Sequence, residues 1–120
     1  MIGPLWEILE VKYKDLGNNQ VVVTWIDWSC VSYVEVPNPE YSAETDPENI
    51  KLADPTYLVP FTIREETHIE AQNRVYTLSA LESVPDNIKL TWVKEQLGVD
   101  KVQEMENWST TQATAFEATL

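Results

Sequence analysis

The sequence predicts an α+β domain. An antiparallel β-meander of three to five strands stands at the N-terminus, and two short amphipathic helices at the C-terminus pack on one face of the sheet. Three stretches point to this class. Residues 21–36 are an unbroken run rich in β-branched and aromatic side chains, without Gly or Pro and with only Asp27 and Glu35 charged. Such a run suits a pleated, packed surface. Residues 37–60 hold Pro37, Pro39, Pro47, Pro55 and Pro60 among Glu40, Glu44, Asp46, Glu48 and Asp54, which excludes a regular helix or central strand. Residues 85–98 open on Pro85 and close on Gly98 around an apolar stripe, the signature of a helix.

With 120 residues, the chain fits one domain, 1–120, with room for one hydrophobic core. It divides into a β-hairpin or meander (1–36), an acidic Pro-rich loop (37–60), an edge strand or ribbon (61–84) and a helical region (85–120). Hydrophobic residues make up 43%, with five Trp and five Tyr, so the chain is expected to fold around a core.

Twenty acids against eight Lys and Arg give a net charge of −12. The acids are spread along the chain without an uninterrupted acidic tail, as on a solvated surface. That balance argues against direct nucleic-acid binding, which needs clustered Lys and Arg at phosphates. It also argues against an anionic membrane surface. Cys30 is the only cysteine, so neither a disulfide framework nor zinc-finger spacing exists. In an apolar strand it reads as a small buried hydrophobe. The N-terminus lacks the basic flank and apolar run of a signal peptide, and no run approaches a membrane span. The expected setting is a cytosol or a particle assembled in one, not a secreted protein.

Residues 5–14 admit a helix after Pro4 or a half-buried strand. In the strand, Leu5, Leu9, Val11 and Tyr13 alternate with Glu10, Lys12 and Lys14. The turn residues Asp15, Leu16, Gly17, Asn18 and Asn19, followed at once by Val21, favour the strand. Residues 20–28 are apolar on both sides, with Val21, Val23 and Trp25 expected on one and Val22, Ile26 and Trp28 on the other. A two-sided strand belongs in the middle of a sheet, with residues 5–14 and 30–36 as its neighbours. A straight strand over 21–36 would span about 53 Å at roughly 3.3 Å per residue, against a diameter of about 35 Å for a compact chain of this length. The stretch must therefore bend, fold back near residues 27–30, or project. No Gly marks a turn there, so a bulge that bends one long strand competes.

Residues 57–63 suggest an edge strand. The segment from Thr62 to Glu65 has the form of a capping box, yet residues 67–78 also alternate, and a strand or ribbon is favoured there. His68, the only histidine, lies among Glu65, Glu66 and Glu70, as an ordinary surface histidine would. Ser83 or Val84 is expected near the cap of the first C-terminal helix, with Pro85 and Asp86 in its first turn. Ile88, Trp92, Val93 and Leu97 form its stripe. Gly98 stops it, Asp100 caps a second helix with Gln103 as capping-box partner, and Val102, Met105, Trp108 and Phe116 continue at helical spacing.

Trp6-Glu7-Ile8 with residues 22–28, Val59-Pro60-Phe61, and the segment from Leu90 to Gly98 together resemble a group of small bacteriophage proteins, especially of phages infecting cyanobacteria. These share a Trp-containing N-terminal hairpin and a Trp-Val C-terminal helix. About half the chain takes part. The departures are a longer middle at 62–84 and no Asp-Gly type of turn between the second and third strands. The resemblance implies a viral setting, a host cytoplasm or a phage virion, and supplies no mechanism.

Catalysis would need a nucleophile with an oriented base, or carboxylates in contrasting environments. No G-x-S-x-G, phosphate-cradling Gly loop or Cys/His pair is present, so no catalytic, cofactor-binding or metal-ligating residue is expected. The Pro-rich loop lacks EF-hand ligand spacing. The expected function is a non-catalytic protein–protein interaction protein, a phage structural or assembly component acting on a protein partner or on itself as a homo-oligomer. Its anchors would be Trp6, Trp25, Trp28, Tyr33 and Trp108, since Trp and Tyr dominate interface energetics. The alternative is an acidic mimic of nucleic acid that occupies a basic groove on a host protein.

Overall fold

A computed structural model describes residues 1–38, 55–70 and 75–120. Strands β1 (Ile2–Gly17), β2 (Gln20–Pro37), β3 (Thr56–His68) and β4 (Val75–Tyr76) precede helices α1 (Leu78–Glu82), α2 (Asp86–Leu97) and α3 (Val99–Glu117). The fold is α+β with a four-stranded antiparallel sheet. β2 lies between β1 on one side and β3 and β4 on the other.

Residues 5–14 are strand. The β1–β2 hairpin turns on Asn18 and Asn19, both with positive φ (53° and 61°), as the two-residue turn matching strand twist requires. The Asp15 carboxylate accepts the Gly17 N–H at 2.8 Å.

β2 corrects the expected meander. It runs unbroken from Gln20 to Pro37, so residues 30–36 continue the central strand, and the third strand is β3. No turn forms near residues 27–30 because β3 pairs with β2 from Trp25 to Pro37 without interruption. The capping-box pattern at Thr62 likewise lies inside β3. The length conflict resolves through the shape of the molecule. Eighteen residues at roughly 3.3 Å each approach its longest dimension, 63 Å of 63 × 36 × 16 Å.

The β1–β2 register shifts between Lys12, opposite Trp25, and Tyr13, opposite Val23. This irregularity leaves Thr24 unmatched and changes which residues share a face. Val21 and Val23 join Ile26, Trp28 and Cys30 in one core, whereas Trp25 lies on the opposite face, contrary to simple alternation.

Leu81 of α1, Trp92 and Val93 of α2, and Met105 of α3 pack on that core. Farther along β2, Val34 and Val36 meet Ala113, with Phe61 and Phe116 beside them. Between the two clusters the contact is small on small. Ser109 is fully buried against Ser32, hydroxyl to hydroxyl at 3.0 Å, which brings α3 close to the sheet.

Three helices form where two were expected. Past His68 the strand ends, and the Ile69 N–H donates to Thr24 O at 2.8 Å. Residues 71–74 of the expected strand or ribbon lie outside the described residues; the short β4 then precedes Thr77, which caps α1, its hydroxyl accepting the Ala80 N–H. α2 starts at Asp86 with Pro85 as cap, and Ile88 of the expected stripe is exposed. Gly98 ends α2 with φ 87° and also caps α3. Asp100 therefore sits in the first turn and is not the cap, and Gln103 bonds forward to Asn107. The expected loop over 37–60 is shorter on its far side, since β3 begins at Thr56; residues 39–54 lie outside the described residues.

Candidate functional site

With α1, α2 and α3 on one side, the other face of the sheet is built from the alternate residues of three strands, because directly paired residues point the same way. β2 contributes Trp25, Asp27, Ser29, Val31, Tyr33 and Glu35. Opposite them β1 places Lys12, Glu10, Glu7, Leu5 and Ile2, and β3 places His68, Glu66, Arg64, Thr62, Pro60 and Leu58. Among the described residues no helix lies on this face.

Its centre is charged. Arg64 donates Nε and a terminal nitrogen to the two Asp27 oxygens at 3.2 and 2.7 Å, a forked pairing that fixes geometry as well as charge. The guanidinium's hydrogen bonds hold the Asp27 carboxyl below its ordinary range. Lys12 reaches across the sheet to both Glu66 oxygens at 3.0 and 3.1 Å, and that carboxylate raises its pKa.

Apolar groups flank the band at both ends. Beyond Lys12, the exposed Trp25 ring meets His68 edge-on at 5.0 Å. Beyond Glu7, the exposed side chains of Ile2, Leu5 and Leu58 surround half-buried Tyr33 and buried Val31. The surface is thus apolar, charged, then apolar along one strand direction.

The five sequence-selected aromatics separate. Trp25 and Tyr33 lie on the open face. Trp6 and Trp28 lie under the helices, their rings 4.8 Å apart. Trp28 is wholly buried, and its Nε1 donates to the Thr67 hydroxyl at 2.7 Å. Trp6 is half-buried, donates to Glu106 at 3.4 Å and carries the Lys94 ammonium 5.0 Å above its ring. Trp108 stands 43% exposed on α3, away from the open face. Sequence reasoning missed Ile2, Leu5 and Leu58, which only the register brings beside Tyr33.

Chemistry-bearing groups are dispersed. Cys30 is buried, and desolvation pushes its thiol pKa up. Among the described residues no group of three or more His, Cys, Asp or Glu side chains is placed to hold a metal ion. No described helix is long and apolar enough to cross a membrane.

Fold and surface together define a class: a thin two-layer α+β protein with helices on one side of an antiparallel sheet and aromatic groups exposed on the other. No family model, curated protein or solved structure matches the chain.

Proposed function

We propose that this is a non-catalytic protein–protein interaction protein, a small structural or assembly component of a phage particle, that docks through the open face of its sheet. The supporting observation is the one-sided cover. Three helices bury one face, while Trp25, Ile2, Leu5 and Leu58 remain exposed on the other. Aromatic anchors around a satisfied polar band suit a protein interface, where a few desolvated Trp and Tyr side chains carry most of the affinity. The viral setting comes from the resemblance of the hairpin and the Trp92-Val93 helix to phage proteins. A complementary partner would offer apolar groups at both ends and a net positive centre, matching the surplus of Glu7, Glu10 and Glu35.

The acidic-mimic alternative calls for carboxylates in rows. On the described open face, Asp27 and Glu66 instead interleave with Arg64 and Lys12 in ion pairs, which favours the docking reading. Mass spectrometry of purified particles tests the choice. The chain is expected at stoichiometric abundance, and Trp25→Ala should deplete it from particles. Absence from particles, together with binding to a basic host protein that weakens steeply with salt, would favour mimicry instead.

A further inference from the structure

We infer that two copies of the chain join edge to edge through β1, antiparallel, about a two-fold axis between Leu9 and Glu10, so that their sheets become one continuous sheet. The backbone ladder would form along the edge of the sheet, while Leu5, Glu7 and Lys12, whose side chains lie across that seam, also belong to the open face proposed above to dock.

An edge strand presents a row of unpaired backbone donors and acceptors, a template for another strand. β1 is such an edge over sixteen residues, paired among the described residues with β2 alone. It also carries five of the fourteen exposed large hydrophobic residues found among the described residues: Ile2, Leu5, Leu9, Tyr13 and Leu16. The opposite edge is less suited. β3 is shorter, and its Pro60 lies within the strand, whereas the one proline of β1, Pro4, lies near its end; a proline has no N–H to give a ladder.

The pattern of β1 is self-complementary, as an isologous contact requires. Its register against β2 shifts between Ile8 and Glu10, an irregularity that makes the alternation of faces symmetric about that point. Trp6, Ile8 and Val11 face the helices; Leu5, Glu7, Glu10, Lys12 and Lys14 pair with open-face residues or Val22 of β2. With the axis between Leu9 and Glu10, Ile8 of one copy meets Val11 of the other, both on the helix side. Trp6 meets Tyr13 in the same way. On the open side Glu7 meets Lys12 and Leu5 meets Lys14, each twice by symmetry. Opposite charges directly across a ladder stabilise it, and like charges oppose it. Moving the register by one residue sets helix-side residues against open-face ones. Moving it by two toward the N-terminus sets Glu7 against Glu10. In this register Lys12, which also holds Glu66 of its own sheet, gains Glu7 of the other copy, while Lys14 lies against Leu5.

The test is sedimentation equilibrium of the full chain at physiological ionic strength, with charge variants. The wild type is expected to reach twice the 13.8 kDa chain mass with rising concentration. Glu7→Lys places two lysine pairs across the interface, and Lys12→Glu places two carboxylate pairs. Each variant alone should weaken self-association on the order of tenfold or more. An equimolar mixture should form a heterodimer at least as tight as the wild type, because both cross-strand pairs are then opposite in charge. Circular dichroism confirms that each variant is folded. A folded wild type that stays monomeric at every concentration would overturn the proposal. So would dimers unaffected by either substitution, or a mixture that shows no preference for the heterodimer.

Discussion

Trp25 and Trp28, three residues apart on one strand, have opposite roles. Trp28 is enclosed by the helices and hydrogen-bonded to Thr67, so Trp28→Ala leaves a large cavity. It is expected to cost about 3–5 kcal/mol, read by chemical denaturation. Trp25 is 40% exposed, and Trp25→Ala should change stability by less than about 1 kcal/mol while weakening partner binding. Asp27 supplies a pH signature. Its folded pKa is depressed by Arg64, so its contribution is complete above the ordinary aspartate value of about 4. That contribution disappears as pH falls through the lower folded value. Arg64→Gln should therefore lower stability near neutrality and shrink the loss seen between pH 4 and more acidic conditions, measured by thermal unfolding against pH. Partial burial, which opposes Asp27 ionisation, would then be offset by Lys12 alone. The Cys30 thiol, fully buried and with its pKa raised, should resist a thiol reagent in the native protein and react on unfolding.

At the level of elements, the α3–β2 contact depends on small side chains. Ser109 and Ala113 are both fully buried, so Ser109→Leu should overpack the joint and cost roughly 1–3 kcal/mol. Gly3 sets another constraint: its φ is +110°, and an added Cβ would lie 2.7 Å from Val31 O. Gly3→Ala should destabilise by more than about 1 kcal/mol. Both effects appear in denaturation midpoints.

These elements also show what the chain disclosed by itself. The hairpin was readable because Gly17, Asn18 and Asn19 carry turn chemistry locally, and α2 because Pro85 and Gly98 bracket it. The continuity of β2 was not, because it depends on ladder and side-chain partners in β3, such as Arg64, which meets Asp27 from 37 residues away. Simple alternation puts Trp25 beside Val21 and Val23, but the register irregularity at Thr24 inverts the period-two pattern and turns Trp25 to the other face. The small residues from Ser109 onward read as weak helix formers, whereas their size is what lets α3 approach the sheet.

For the whole molecule, one long central strand sets both shape and exposure. A sheet almost as long as the 63 Å molecule offers more area than three helices cover, and the helices gather on one side. Among the described residues no helix or strand covers the open face. The covered face holds the fold together, and under the proposed function the open face meets a partner. Photo-crosslinking within assembled particles tests this division most directly, with a photoreactive amino acid placed in turn at positions 25, 33 and 28. The account predicts crosslinks to another polypeptide from positions 25 and 33, and intrachain products alone from position 28. Intrachain products from all three positions would contradict it.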